Sequence, residues 1–285
     1  MIFARDKGRM CNNILQYGHV YAWAREHGRK SVSMRFCYKY QYFRICSTPY
    51  HSFLTYLIAK YMAKWGMMPV VGFHDENIDT TEKERLMLSA GNVMVEGWYV
   101  RFYDLFLKYK PEIVNLFSFK KSISDGIMSY MASKTIDGDL NLGVHIRRGD
   151  YKTWKGGQYY FDDDTYIGYI RRFAGQHNDR NINVFICGND PSLDKTRYME
   201  ELGGPVKAHG AQGFCRRISV FFPDGNPGED LCLLSECDYI MGAPSTFSLV
   251  ASMYHDRPLM WIECPYTNGA YVEFKDFDNL FRNIR

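Results

Sequence analysis

The chain has 285 residues and a mass of 33.3 kDa, which is enough for one large domain or two of ordinary size. Its 35 basic and 32 acidic residues leave a net charge of +3, too small and too dispersed to predict a nucleic-acid groove. A hydrophobic fraction of 46% allows a full core, and the aromatic fraction of 16% indicates either an aromatic-rich core or a surface for sugars and lipids.

The first half of the chain is predicted to be rich in helices. Helical spacing of apolar residues in CNNILQYGHVYAWAREHG predicts a helix that ends at Gly28, with the pair Asn12 and Asn13 near its N-cap. A second helix is expected in STPYHSFLTYLIAKYMAKWG, and a further helical region that breaks near Pro111. Between them, MPVVGF is expected to form a strand.

From about residue 138 the pattern changes, because apolar runs begin to alternate with amphipathic segments. We predict strands in LNLGVHI, NINVFICG, RISVFF, DYIMGA and RPLMWI, separated by helices at about residues 163–177, 191–202, 228–237 and 246–255. This alternation indicates parallel βαβ units in a sheet that is covered on both faces. The sequence therefore predicts a domain boundary near residue 138 and a Rossmann-like second half.

The motif LGVHIRRGDY places charged side chains at the carboxyl end of the first strand of that sheet, where ligands bind in open α/β folds. Alternation along the strand points His145 and Arg147 in one direction and Arg148 in the other. Arg147 is then suited to grip a phosphate, while Arg148 braces the loop. The alternative is a surface ion-pair cluster in which Arg148 contacts Asp150.

A second polar group follows in GNPGEDLCLLSECDYIMGAPSTFSLVASM. Asp230 lies in the first turn of a predicted helix, and Ser245, Thr246 and Ser248 lie at the start of the next one. A helix N-terminus binds phosphate through its backbone N–H groups, although ordinary N-capping by a hydroxyl residue explains the same pattern. Two strand ends of one sheet that are both suited to anions favour a shared ligand.

These residues resemble the inverting α-1,2-fucosyltransferases. GVHIRRGDY resembles the family motif H-x-R-R-G-D-Y, and EDLCLLSECDYIMGAPSTFSLVASM resembles the second family block, D-L-x-L-M-S-x-C-x-x-x-I-x-x-N-S-T-F-S-x-W. GRMCNNILQY resembles the N-terminal loop G-G-L-G-N-Q-M-F-Q-Y. The chain departs from the family at Cys11, in place of a loop glycine, and at Pro244, in place of an asparagine. These departures indicate a divergent bacterial member.

The resemblance implies an α/β fold of the GT-B type, with two Rossmann-like domains that face a cleft. Residues 1–138 are then the N-terminal acceptor-side domain, and residues 139–285 are the C-terminal domain that binds the GDP-sugar donor. The implied activity is transfer of fucose from GDP-fucose, with inversion and in α-1,2 linkage, to a galactoside-type glycan or lipid-linked glycan. The alternatives are a transferase for another GDP-sugar or linkage, and a non-catalytic nucleotide-sugar binding module.

The resemblance also implies roles for single residues. His145 and Asp230 are expected to address guanine, and Arg147 the β-phosphate. Asn12 is expected to approach the phosphate or the fucose from the first domain. Further contacts to the pyrophosphate are expected from Ser245, Thr246 and Phe247.

No metal and no cofactor are expected, because Arg147 and the helix end at Thr246 supply the charge that a leaving diphosphate needs. The run Asp162–Asp164 imitates a metal-binding D-x-D motif, but it fits an acidic helix start better. Inverting transfer also needs a proton acceptor. Asp150 is the nearest carboxylate, with bracing of Arg147 or Arg148 as its alternative role, and the sequence leaves His19, Glu96 and Asp75 open as other candidates.

The sequence carries no apolar run of the roughly 20 residues that a membrane-spanning helix needs, and its start lacks the apolar stretch of a secretory signal. The eight cysteines form no C-x-x-C pair, which favours reduced thiols over a zinc site or a disulfide framework. A cytoplasmic protein is therefore expected. The basic stretch FKK at residues 119–121 indicates either peripheral contact with anionic lipid at the inner membrane or a solvated face.

Overall fold

The chain forms two compact α/β units, Met1–Lys121 and Ser122–Arg285. The structure is a computed structural model that describes residues 1–5, 7–76, 79–188, 190–207 and 215–284. The structure divides the chain after Lys121, whereas the sequence predicted a boundary near residue 138. The difference arises because the helix Lys121–Ala132, apart from its first residue, belongs to the second unit. Tyr130 of this helix packs edge-on against Phe185 in the second unit, with ring centroids 6.3 Å apart.

The first unit is built on a four-stranded parallel sheet in the order β2-β1-β4-β3. Its strands are β1 (Ile2–Arg5), β2 (Ser31–Ser33), β3 (Val70–Gly72) and β4 (Val93–Glu96). Its helices are α1 (Met10–Glu26), α2 (Phe53–Lys64), α3 (Thr81–Ser89), α4 (Tyr103–Lys108) and α5 (Lys110–Leu116), with a 3-10 turn at Arg44–Ser47. The sequence predicted only β3 among these strands; all four are three or four residues long and carry little periodicity.

Helix α1 lies inside the first unit. It is buried along most of its length, including Tyr17 and Trp23, and it ends one residue before His27, with Gly28 at φ +64° as predicted. The helix begins at Met10 with Arg9 as its N-cap, so the expected capping position of Asn12 and Asn13 is wrong by about one turn. An aromatic core is confirmed for the eight aromatic residues of this unit that are buried, namely Phe3, Tyr17, Trp23, Phe36, Phe43, Phe73, Phe106 and Phe117. Other aromatic residues of the unit are partly or fully exposed.

The second unit holds a six-stranded sheet in the order β10-β9-β5-β6-β8-β7. Its strands are β5 (Leu140–Ile146), β6 (Ile182–Gly188), β7 (Gly204–Lys207), β8 (Cys215–Phe221), β9 (Tyr239–Gly242) and β10 (Leu259–Trp261). Its helices are α6 (Lys121–Ala132), α7 (Asp163–Gln176), α8 (Lys195–Leu202), α9 (Pro227–Glu236), α10 (Thr246–His255) and α11 (Phe277–Phe281), with 3-10 turns at Gly149–Lys152 and Trp154–Gly157.

The predicted strands and helices of this unit are present, and the sheet is parallel except at one edge. Strand β7, which the sequence did not predict, pairs antiparallel with β8. Strand β5 lies between β6 and β9, and all three run in the same direction. Their carboxyl ends therefore meet at one edge of the sheet, where the polar motifs predicted from the sequence lie.

Candidate functional site

The carboxyl ends of the adjacent strands β5 and β9 bring His145 and the start of helix α10 together. His145 pairs in register with Gly242, and a Cβ at residue 242 would lie 2.5 Å from the His145 carbonyl oxygen, so the strands approach closely there. Ser245 caps α10 by accepting the N–H of Ser248 at 3.2 Å. Its hydroxyl lies 3.3 Å from Nδ1 of His145. The ring of Phe247 stacks on the His145 ring at a centroid distance of 4.7 Å.

His145 is a neutral imidazole at physiological pH. Its side chain is almost fully buried, and this burial, together with the positive charge of Arg147, lowers the pKa of His145 to about 3. A neutral imidazole carries one N–H donor and one acceptor, so it is able to recognise a polar edge such as that of a nucleobase.

Arg147 follows His145 beyond the end of β5 and lies over an aromatic ring. Its guanidinium carbon lies 5.2 Å from the centroid of the Tyr151 ring, and its Nη2 lies 2.7 Å from Oδ1 of Asp150. The Tyr151 hydroxyl donates to the carbonyl of Pro244 at 2.6 Å, which ties this loop to the residue before Ser245. Arg147 is only 16% exposed, whereas Asp150 is half exposed. The sequence did not predict the part played by Tyr151.

The side chain of Arg148 points away from that of Arg147 and anchors the loop to neighbouring parts of the second unit. Its Nε donates to the carbonyl of Phe161 at 2.9 Å, and its Nη1 donates to Asp190 at 3.4 Å. Its Nη2 also pairs with Asp163. The expected alternative, in which Arg148 contacts Asp150, is therefore wrong: Asp150 pairs with Arg147. The opposite directions follow from the alternation of an extended chain, as the sequence predicted.

Asp230 lies in the first turn of α9, beside the same strand ends. Its carboxyl contacts the buried thiol of Cys187, which is the residue of β6 that pairs in register with His145. Burial, and to a smaller extent the negative charges of Glu229 and Asp224, raises the pKa of the Asp230 carboxyl to about 7. Paired residues on adjacent strands project from the same face of a sheet, so Cys187 links Asp230 to the position of His145.

The acidic run that imitates a metal motif is a helix start, as predicted. Asp162 caps α7 by accepting the N–H of Thr165 at 2.9 Å. Asp163 accepts from Arg148 and, at 2.9 Å, from the Tyr198 hydroxyl, while Asp164 pairs with Arg197. Within the described ranges, no group of three or more His, Cys, Asp or Glu side chains is arranged to hold a metal ion.

Asn12 belongs to the first unit, and so do the proton-acceptor candidates His19, Glu96 and Asp75. Asn12 lies in the first turn of α1, and the turn before it is narrow: Gly8 has φ +93°, and a Cβ there would lie 2.7 Å from Nδ2 of Asn12. His19 is buried, and its Nδ1 accepts the N–H of Phe102 at 3.1 Å. Glu96 is held by Arg5 and His74, whereas Asp75 is exposed. His19 and Glu96 are therefore engaged within their own unit.

A cavity of about 500 Å³ lies in the second unit, next to this group of residues. Trp154 lines it and stacks on Tyr151 at 4.8 Å, and Pro244 forms another part of its wall. Other lining residues supply aromatic rings, two carboxylates and two lysines, namely Tyr159, Trp261, Tyr271, Glu263, Glu273, Lys155 and Lys275. Its volume lies within the range of small-molecule sites. The only signal for it in the sequence was the density of aromatic residues near 151–160.

Known proteins similar to this chain are fucosyltransferases. Galactoside 2-alpha-L-fucosyltransferase of Mus musculus is 24% identical over 270 residues, which cover 88% of this chain and 64% of the relative. Galactoside alpha-(1,2)-fucosyltransferase 2 of Mus musculus is 25% identical over 174 residues, covering 55% of this chain and 45% of the relative. The chain thus spans about two thirds or less of the length of these relatives. No family model matches it.

Solved structures of fucosyltransferases share the fold. A mutant of Arabidopsis thaliana FUT1 in complex with GDP has a TM-score of 0.60 at 14% identity, covering 93% of this chain and 71% of that one. POFUT1 in complex with GDP-fucose has a TM-score of 0.55 at 11% identity, covering 92% and 97%. NodZ alpha-1,6-fucosyltransferase with GDP has a TM-score of 0.56 at 12% identity, covering 96% and 98%.

The chain is similar to fucosyltransferases at low sequence identity, in sequence and in fold. The recognition of this family from the three sequence blocks is confirmed, and so is the α/β fold of the GT-B type. Among the described residues, no helix has the length and apolar character needed to span a bilayer. The bacterial origin and the cytoplasmic location stay predictions.

Proposed function

We propose that the chain is a glycosyltransferase that moves fucose from GDP-fucose to a galactoside-type glycan. The observation that carries the proposal is the contact of His145 with Ser245 and Phe247, since it joins the two sequence blocks at one sheet edge. The relatives named above are galactoside fucosyltransferases, and solved structures that share the fold of this chain are complexes with GDP or GDP-fucose. The α-1,2 linkage and inversion of configuration are the finer part of the proposal.

In this proposal the second unit holds the donor. The neutral ring of His145 and the carboxylate of Asp230 recognise guanine, while Arg147 binds the β-phosphate. The N-terminus of α10, with Ser245, Thr246 and Phe247, supplies N–H and hydroxyl groups for the pyrophosphate. The neighbouring cavity is lined by aromatic rings and by charged groups of both signs, which are suited to a sugar, and this supports a glycan as the acceptor.

Transfer then proceeds as a single displacement. An acceptor hydroxyl attacks the anomeric carbon of fucose, the bond from that carbon to the β-phosphate oxygen breaks, and GDP leaves with the electron pair. Arg147 stabilises the charge that develops on the leaving phosphate, without a metal ion or a cofactor. Asp150, the half-exposed carboxylate beside Arg147, is proposed to take the proton of the acceptor.

The test is incubation of the chain with GDP-fucose and a panel of β-galactosides, followed by linkage analysis of the product. We expect fucose in α-1,2 linkage to galactose, and loss of transfer in the Arg147→Ala variant with an unchanged melting temperature, because Arg147 lies at a strand end outside the core. Turnover of GDP-mannose alone would contradict the donor assignment. Protection of bound GDP-fucose without transfer or hydrolysis would indicate a binding module, and Arg147→Ala activity within threefold of wild type would contradict the site.

A further inference from the structure

Helix α2 has an exposed apolar face on the side opposite the core of the first unit. Ala59 is the residue of α2 that is fully buried, and it packs in the cluster around Phe3 and Met94. On the opposite side, the exposed fractions are large for four apolar residues at i, i+4, i+7 and i+11: Leu54 (66%), Ile58 (51%), Tyr61 (39%) and Trp65 (68%). This spacing places all four on one face of the helix.

The stripe is continuous and extends beyond the helix. From Leu54 to Trp65 it runs about 17 Å along the helix axis, at 1.5 Å per residue. Phe53 and Met67, exposed by 57% and 65%, lengthen it at its two ends. Single exposed apolar residues are common on soluble proteins, but a contiguous stripe of this size marks an interaction surface.

The segment that carries this helix has an extreme charge balance. Between residues 27 and 74 there are seven Lys or Arg residues and no Asp or Glu, although the whole chain has a net charge of only +3. Lys60 and Lys64 flank the stripe on α2, and neither forms an ion pair with a carboxylate within the part of the chain that the structure describes. The surface therefore combines apolar side chains with uncompensated positive charge.

We propose that this face of α2 docks on an anionic lipid bilayer. A helix with Trp, Leu and Ile on one side and lysines at its flank lies in the plane of the lipid headgroups, where the lysine stems follow the apolar surface and their ammonium groups reach phosphate. Tyr61 and Trp65 are the residue types that favour the boundary between lipid and water. Pairing with a second copy of this face is disfavoured, because it would bring two basic segments together.

The experiment is flotation of the full chain with vesicles of phosphatidylcholine, with and without 30% phosphatidylglycerol, at about 0.1 M NaCl. Binding is expected for the anionic vesicles and is expected to weaken at 0.5 M NaCl. Trp65 provides a local readout, since a blue shift of tryptophan emission on vesicle addition is expected in the wild type and not in Trp65→Phe.

Two double variants separate the apolar contribution to vesicle affinity from the electrostatic contribution. The double variant Ile58→Ser, Trp65→Ser is expected to lose about a hundredfold in vesicle affinity, because two apolar anchors are removed. The double variant Lys60→Gln, Lys64→Gln is expected to lose about thirtyfold, at about 1 kcal/mol per cation near an anionic surface. Ile136→Ser, at an exposed residue of the second unit, is the matched control and is expected to bind like wild type.

Three results would overturn the proposal: equal binding to neutral and anionic vesicles, no binding to either, or a concentration-dependent dimer that Ile58→Ser with Trp65→Ser abolishes. Hydrolysis of GDP-fucose, measured in parallel without vesicles, is expected to stay within twofold of wild type in all these variants. The lipid test is thus independent of the donor assignment.

Discussion

Lowering the pH from 8 to 6 is expected to weaken the binding of GDP-fucose about tenfold through Asp230 alone. Guanine presents its N1–H and its amino group as donors, so the proposed contact needs Asp230 as an ionised acceptor. Burial holds the pKa of this carboxyl at about 7 in the free protein. The carboxyl is therefore protonated, and presents an O–H donor, over a range in which most carboxylates are charged.

The magnitude follows from the ionised fraction. With a pKa of about 7, roughly one eleventh of the Asp230 carboxyls are ionised at pH 6 and roughly ten elevenths at pH 8, a ratio that corresponds to about 1.4 kcal/mol of binding free energy. Folding raises the pKa of Asp230, and this fixes the direction in which the stability of the folded chain changes with pH. Ionisation of Asp230 costs stability as the pH rises through 7, and guanine donors restore it by lowering the pKa in the complex.

Isothermal titration calorimetry with GDP-fucose and no acceptor measures this effect. GDP-fucose is the right ligand because its β-phosphate is esterified and does not titrate between pH 6 and 8. At pH 6, titrations in two buffers of different ionisation enthalpy are expected to show release of nearly one proton per donor bound. At pH 8 the release is expected to be close to zero.

Asp230→Asn is the control for the assignment. The amide does not titrate, so the variant is expected to bind weakly, with the same affinity at both pH values. A wild-type affinity that is constant from pH 6 to 8 would refute the reasoning. The same tenfold dependence in Asp230→Asn would assign the titration to another group.

Two further predictions concern the charged groups around the donor site. Transfer is expected to continue in excess EDTA at an unchanged rate, because Arg147 and the start of α10 neutralise the leaving diphosphate, and a loss that added Mg²⁺ restores would contradict this. Arg148→Met is expected to destabilise the second unit by about 3–5 kcal/mol, since it leaves Asp163 and Asp190 without their cation in a buried setting. Arg171→Met is the matched control, because Arg171 lies on the same helix as Asp163 but forms a partly exposed ion pair with Glu201. Its free energy of unfolding in urea is expected to fall by less than about 1 kcal/mol. Equal losses of stability in the two variants would refute the argument.

The second unit was predictable from the sequence because its signals are local. Strands β5 and β6 are buried on both faces and appear as continuous apolar runs. The helix starts carry their own capping chemistry: Asp162 caps α7, Asn226 with Glu229 forms a capping box on α9, and Ser245 caps α10. These features mark where the strands and helices follow one another along the chain. They also place both polar motifs directly after strands of the same parallel sheet.

Features that depend on contacts between distant residues were not predictable. Strands β1, β2 and β4 are short, and α1 is buried on nearly all sides, so neither the strand period nor an amphipathic stripe marks them. The sequence left the partner of Asp150 open between Arg147 and Arg148, because the spacing allows Asp150 to reach either neighbouring arginine; the structure pairs it with Arg147. The bond from Asp230 to Cys187 depends on the packing of α9 against β6 and has no signal in either motif.

The two departures from the family pattern are compatible with a working donor site. Pro244 replaces an asparagine and removes an N–H group, yet its carbonyl accepts the Tyr151 hydroxyl at 2.6 Å, so the loop after β9 keeps a specific anchor. Ser245 follows in an extended conformation, with φ −150° and ψ 150°, and caps α10, so the groups proposed to bind pyrophosphate all lie after the proline. Cys11 is buried, and the narrow turn before Asn12 is made by Gly8, which matches the first glycine of the family loop. The departures therefore change how the two loops are held, while the groups proposed to bind the donor are retained.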